Sequence, residues 1–280
     1  MLVDGRAIAA QLKAELAVRV AALRAHDVVP RLAIVVATAD EGAAWYVRSL
    51  LRAAAQVGAA AAVVELPADT DAAAIEAALA TASADPDVHG VLCQTPLPAG
   101  VRLADVAGAI DPAVDIDGAN PLSLGRLAAD VAGAFPPATA AAAMRILEHE
   151  RVSLTGARAV VIGRSTVVGK PLALMLLARH ATVTVCHSRT VDLPAVAREA
   201  DVLVAAVGRP ALVTAAYVKP GAFVVDVGTN PTPDGGLVGD VDTAAVDRVA
   251  TVTPVPGGVG PVTTVVLLGH LADAAERSVK

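Results

Sequence analysis

The segment "GRSTVVGKP" (163–171) sets Gly163 and Gly169 on either side of a turn, after the apolar run "RAVVI" (158–162) and ahead of the helical run "PLALMLL" (171–177). A strand–turn–helix of this kind aims backbone N–H groups and the positive end of a helix dipole at a pyrophosphate. Gly163 gives the tight turn and Gly169 lets the helix approach the sheet. Ser165 stands where the usual fingerprint has its middle glycine, with Arg164 beside it, so an ordinary strand–helix turn is the bland alternative. The next strand, "TVTVCHSRT" (182–190), decides between dinucleotides. It ends without the acidic residue that would hold a ribose 2′-hydroxyl. Ser188, Arg189 and Arg164 suit a 2′-phosphate instead, which points to NADP. The strand ends "ADVLVAAVGRP" (200–210) and "GAFVVDVGTNP" (221–231) bring Val207, Gly208 and Thr229 to the same rim, where such ligands lie. Asp226 there reads either as functional or as a carboxylate capping a loop.

A second set of candidates lies in the first half. Tyr46 and Leu50 sit one helical turn apart in "AWYVRSLLRAAAQVG" (44–58) and so share a helix face. Gln94 ends the apolar run "VHGVLCQ", and a buried amide needs partners. Asp117 in "DIDG" offers a carboxylate able to accept two adjacent donors, although Asp is also common in turns. Pro256, Gly257 and Gly258 fall in a run of unusual backbone demands that suits close approach to a ligand.

The elements that must hold these residues are legible as an alternation of strand-like and helical runs. "RLAIVVAT" (31–38), "AAAVVELP" (60–67) and "VHGVLCQTPLP" (88–98) alternate with helical stretches, the grammar of a parallel sheet with crossover helices. After the Pro- and Gly-punctuated stretch 110–127 the pattern restarts, predicting a second, doubly wound unit. Leu267, Leu268, Leu271 and Ala274 recur at helical spacing and predict a closing helix. The chain has 280 residues, 55% of them hydrophobic and 2% aromatic, so its core must be Ala, Val and Leu. A net charge of −6 without a basic run argues against nucleic acid as a partner. The uncharged runs are too short to span a bilayer, which argues against a membrane. The amphipathic start does not read as a secretory signal. Cys93 and Cys186, each in an apolar run and without metal-ligand spacing, read as buried thiols of a cytoplasmic, reducing compartment, with no metal.

Taken together, "YVRS" (46–49), "GVLCQTPLP" (90–98), "DIDG" (115–118), "GRSTVVGKPLA" (163–173), "CHSRT" (186–190), "KPGAFVVDVG" (219–228), "GDVD" (239–242) and "TPVPGGVGPVT" (253–263) resemble the bifunctional methylenetetrahydrofolate dehydrogenase/cyclohydrolase family. The resemblance implies an α/β protein of two domains with a cleft between them. One is a folate domain, 1–134 plus 265–280. The other is a Rossmann-type NADP-binding domain with a parallel sheet, 135–264. The C-terminal helix would return to the first domain, and the chain would form a homodimer working on tetrahydrofolate one-carbon substrates. The resemblance gives Tyr46 the stacking on the p-aminobenzoyl ring. It gives Gln94 a place near the reacting carbon, Asp117 the hydrogen bonds to the pterin, and Pro256, Gly257 and Gly258 the backbone on which folate and nicotinamide meet.

Departures cluster in the folate half. The family normally has a lysine four residues after the tyrosine; this chain has Leu50. Arg48 and Arg52 each lie about 200° around the helix from it, and a guanidinium is a poor proton shuttle. None of the four lysines, Lys13, Lys170, Lys219 and Lys280, falls in this segment. Ala43 replaces a serine, Thr95 a leucine, and "AFPPATAAAAM" (134–144) a Cys-Thr-Pro-x-Gly segment. Hydride transfer needs mainly positioning, whereas cyclohydrolysis needs an acid–base group. The expectation is a dehydrogenase with weak or lost cyclohydrolase activity. The alternatives are an NADP-binding paralogue without full activity and an NADP oxidoreductase with an altered substrate.

Overall fold

The computed structural model describes residues 1–278. In chain order the elements are α1 (Gly5–Arg24), β1 (Arg31–Val36), α2 (Glu41–Val57), β2 (Ala60–Glu65), α3 (Ala72–Ala84), β3 (Gly90–Gln94), the short α4 (Leu103–Val106), α5 (Pro121–Ala128) and α6 (Ala138–His149). They continue with β4 (Arg158–Ile162), α7 (Gly169–Ala178), β5 (Thr182–Cys186), α8 (Leu193–Ala197), β6 (Val202–Ala205), β7 (Phe223–Asp226), β8 (Asn230–Pro231), β9 (Leu237–Val238), α9 (Thr243–Val246), β10 (Thr251–Val252) and α10 (Val259–Ser278). The chain divides into two compact units, Met1–Ala10 with Thr139–Thr263, and Gln11–Ala138 with the segment from Thr264 onward.

The unit built on Gln11–Ala138 has a three-stranded sheet in the order β2-β1-β3, both pairings parallel. β1 is central because Leu32, Ile34 and Val35 are buried on both faces, as parallel strands require. The strand order reverses at β1, so the carboxyl ends of β1 and β3 flank a switch point, where α/β sheets hold ligands. Val36 and Gln94 are register partners at that end. α2 begins where the Asp40 side chain accepts the Ala43 N–H at 2.7 Å, and stops at Gly58 in the left-handed region (φ 85°). Its buried stripe is Ala43, Val47, Leu50, Ala54 and Val57.

The unit built on Thr139–Thr263 is a five-stranded sheet in the order β10-β7-β6-β4-β5, parallel throughout. The order reverses at β4, which brings the loops after β4 and β6 side by side. β6 is fully buried from Val202 to Ala205, and each such Val or Leu contributes about 1.5–3 kcal/mol. A small antiparallel hairpin, β8-β9, follows β7.

Residues 1–10 pack with this second unit. The cause is backbone pairing that no local pattern reveals. Val3 N–H donates to the Val252 carbonyl at 3.0 Å and Val252 N–H to the Met1 carbonyl at 3.0 Å. The Met1 ammonium also lies 2.6 Å from the Asp247 carboxylate. The closing helix α10 runs as the leucine spacing predicts, and from Thr264 onward it belongs with Gln11–Ala138.

Candidate active site

In the Gln11–Ala138 unit, the loop carrying Asp117 is wound around a different carboxylate. Asp115 is fully buried. It accepts the Ala119 and Asn120 N–H groups, each at 2.9 Å, and the Ser123 hydroxyl at 2.5 Å. Asn120 donates to the Ile110 carbonyl at 2.7 Å. Asp115 therefore shapes the turn, which leaves Asp117 half-buried beside it. Asp117 Oδ1 accepts the Ala138 N–H at 3.2 Å, at the start of α6. Burial pushes the Asp117 carboxyl up to about 7; the nearby Asp115 charge adds to this and the Ala138 N–H opposes it.

Tyr46 projects from α2, half-buried. Burial pushes its phenol up to about 12, and the Asp117 charge acts in the same direction, so the ring and the carboxylate share one environment. Gln94 is buried at the end of β3, with its Nε2 donating to the Thr95 carbonyl at 2.5 Å; no donor reaches its Oε1 among the described residues. Tyr46, Asp117 and Gln94 thus lie in one unit.

Leu50 takes a different place from Tyr46. It belongs to the fully buried stripe of α2, with 0% of its surface exposed. The side chain expected on the same face as Tyr46 is instead packed inside the unit. Arg48 and Arg52 are exposed, as their helical angle predicts. The Lys13 ammonium donates to Gln56 Oε1, ten residues along α2 from Tyr46, or about 15 Å. The imidazole that reaches the Asp117 loop is His270 of α10, whose Nδ1 lies 2.8 Å from the Ile116 carbonyl.

In the Thr139–Thr263 unit the glycine turn is tight. Gly163 has φ 132°, and a Cβ there would lie 2.2 Å from the Ala206 carbonyl oxygen. A Cβ at Gly169 would lie 2.2 Å from the Gly163 carbonyl oxygen. Ser165, in place of a glycine, caps α7, its hydroxyl accepting the Val168 N–H at 3.2 Å and the Gly169 N–H at 3.4 Å. Among the described residues nothing accepts the N–H groups of Arg164, Ser165, Thr166 or Val167, and all four residues are exposed. Ser188 and Arg189 are exposed at the end of β5, next to β4. A row of free amides, a glycine-tight strand–helix corner and nearby guanidinium groups fit a dinucleotide with an extra phosphate. Thr229 and Gly208 are exposed and Val207 is half-buried at the ends of β7 and β6. Pro256 is exposed and Gly258 buried in the loop before α10.

Asp226 is the loop-capping carboxylate of the two readings. It is fully buried and accepts the Gly228, Asp240 and Val241 N–H groups, each at 2.9 Å. Asp240, in the "GDVD" segment, is also fully buried. It accepts the Val207 and Gly208 N–H groups at 2.6 and 3.0 Å and the Arg209 N–H at 2.8 Å. Asn230 Nδ2 adds a fourth donor at 3.0 Å. The one available signal was an acid in "GDVD" directly after a glycine; a Cβ at Gly239 would lie 1.8 Å from Asp226 Oδ2. Gly5 carries no local signal in the sequence: a Cβ there would lie 2.0 Å from the Gly258 carbonyl oxygen.

Known families match both halves of the chain. Residues 3–117 match the tetrahydrofolate dehydrogenase/cyclohydrolase catalytic domain, and residues 137–279 match that family's NAD(P)-binding domain. A bifunctional protein FolD 1 of Saccharopolyspora erythraea is 57% identical over 275 residues, covering 98% of this chain and 94% of its own. The crystal structure of the bifunctional FolD enzyme of Campylobacter jejuni superposes with a TM-score of 0.96 at 36% identity, covering 99% of each chain. The Trypanosoma brucei dehydrogenase–cyclohydrolase, solved with NADP and an inhibitor, gives a TM-score of 0.94 at 36% identity over 100% of this chain and 98% of its own. The chain is a member of the tetrahydrofolate dehydrogenase/cyclohydrolase family.

Proposed function

We propose that this protein is an NADP-dependent 5,10-methylenetetrahydrofolate dehydrogenase whose methenyltetrahydrofolate cyclohydrolase activity is weak or lost. The observation that carries the second clause is position 50. It holds a leucine with 0% exposure, one helical turn from Tyr46. Lys13, the one lysine of this unit among the described residues, is engaged by the Gln56 side chain. Hydride removal from the methylene bridge is driven by the folate's own nitrogens, so the protein's task is orientation. Tyr46 supplies a ring face for the p-aminobenzoyl group, Asp117 accepts from the pterin edge, and Gln94 lies by the reacting carbon. Bound NADP supplies the hydride acceptor. The free amides of 164–167 hold its pyrophosphate, and Arg164, Ser188 and Arg189 hold its 2′-phosphate. Pro256, Gly257 and Gly258 offer backbone to both ligands.

Cyclohydrolysis adds water to the methenyl carbon and must move protons. Without an amine on this face of α2, the usual contribution of such a group, about 10²–10⁴-fold, is missing. The working form we assign is a homodimer. β2 is an edge strand, with Val64 37% exposed, and a free edge of this kind invites strand pairing. The compartment is the cytoplasm, in keeping with two buried free thiols.

Two assays on purified protein test this. NADPH formation from methylenetetrahydrofolate is expected. The decay of methenyl absorbance should stay near the uncatalysed rate and rise in Leu50→Lys. NADP binding without turnover would sink the dehydrogenase assignment. Rapid hydrolysis that Leu50→Lys leaves unimproved would sink the split between activities.

A further inference from the structure

The loop after β6 has the opposite polarity to the turn after β4. At 164–167 the amides are free. At Val207, Gly208 and Arg209 all three amides donate to one buried carboxylate, that of Asp240. This carboxylate has no room to shift, because a Cβ at Gly228 would already lie 2.3 Å from Asp240 Cγ. Its own backbone N–H is held by Asp226, so the loop is anchored through β7 to the sheet. With its backbone donors consumed, the backbone polar groups this loop leaves open are the Val207 and Gly208 carbonyl oxygens. No donor reaches either among the described residues. Free carbonyls repel phosphate and accept from hydroxyl or amide N–H groups. The two loops are neighbours: the would-be Cβ of Gly163 meets the carbonyl of Ala206, the residue just before Val207.

We infer that Asp240 is a positioning residue for the nicotinamide half of the dinucleotide. It turns three amides inward, so that the Val207 and Gly208 carbonyls accept from the hydroxyl and carboxamide donors of the nicotinamide riboside. The adenosine half rests independently on the 163–169 turn and on Ser188 and Arg189. The inference rests on the NADP reading above and adds the atoms that recognise one end of that ligand.

Asp240→Asn keeps the shape and replaces one acceptor by an N–H₂ donor. Each carboxylate oxygen takes two donors, so at least two contacts become donor against donor and the loop must turn. The test is equilibrium binding of two probes: NADPH, followed by its fluorescence, and 2′,5′-ADP, the adenosine half alone, followed by calorimetry. Asp240→Asn should weaken NADPH by about tenfold or more and leave 2′,5′-ADP within about twofold of wild type. Asn230→Ala, which removes the fourth donor and keeps the carboxylate, should show the same selectivity at about threefold, so the test does not depend on one variant folding. Asp201→Asn, at an exposed ion pair with Lys219, should change neither. Equal weakening of both probes would reduce Asp240 to a general structural role and overturn the inference, as would NADPH binding unchanged in Asp240→Asn. A wild-type protein that binds 2′,5′-ADP as tightly as NADPH would overturn it too. If wild type binds neither probe, the cofactor reading fails and takes the inference with it.

Discussion

At the scale of single residues, Asp117 carries the pH dependence that the proposed folate site would show. Burial lifts it to about 7, so near neutrality a large share is protonated in the free protein. A protonated carboxyl cannot accept both donors of an amino-pyrimidine edge; the carboxylate can. Folate binding should therefore release a proton. Affinity should fall below pH 7, by up to about tenfold per pH unit. Titration of a stable reduced folate from pH 5.5 to 8.5 checks this, with Asp117→Asn expected to bind weakly and without pH dependence. A wild-type affinity flat across that range would show that Asp117 is already ionised or not in contact. For folding the sign reverses. A carboxyl raised from 3.8 to about 7 stabilises the fold most below pH 3.8, and that contribution is lost as pH rises through 7. Asp117→Asn should accordingly lose no stability at pH 8.

At the scale of elements, α2 explains both what sequence reveals and what it hides. The helix and the strands on either side follow from patterns of local period. So does the placement of Arg48 and Arg52 away from Tyr46. The burial of Leu50 was also within reach, since Ala43, Val47, Leu50, Ala54 and Val57 form one stripe and Tyr46 lies beside it. The Asp226–Asp240 network was not, because it joins loops after β6, β7 and β9 through side-chain contacts that have no period. The stripe also bears on Leu50→Lys. Its ammonium would start in a fully enclosed position, where an unpaired charge is costly. We expect Leu50→Ala to lower unfolding stability by about 2–5 kcal/mol through the cavity left behind, and Leu50→Lys to lower it by at least as much. Urea unfolding of both variants measures this. A lysine tolerated without cost would mean that the helix already offers the side chain a path to water.

At the scale of the whole chain, the first residues are built into the unit that carries the loop 253–258. Leu2 and Val3 pair with Val252, and Gly5 presses on the backbone of Gly257 and Gly258, with a would-be Cβ only 2.7 and 2.0 Å from their carbonyl oxygens. Backbone atoms cannot swing aside as a side-chain tip can, so Gly5→Ala must displace either the start of α1 or the two glycine carbonyls. α1 is held by Asp4, whose Oδ1 accepts the Arg6 and Ala7 N–H groups, each at 3.0 Å, and by the strand pairing just before it. The loop, ending in the half-exposed Gly257 at φ 106°, is the softer partner. Gly5→Ala should therefore leave the far-ultraviolet circular dichroism unchanged and lower dehydrogenase kcat/KM by about tenfold or more, the range expected when a ligand-contacting backbone moves by about 1 Å. If instead α1 yields, the melting temperature falls and kcat/KM at low temperature is kept. Measuring both on one preparation separates a loop set by the first residues of the chain from an N-terminal segment that serves only to cover the sheet edge.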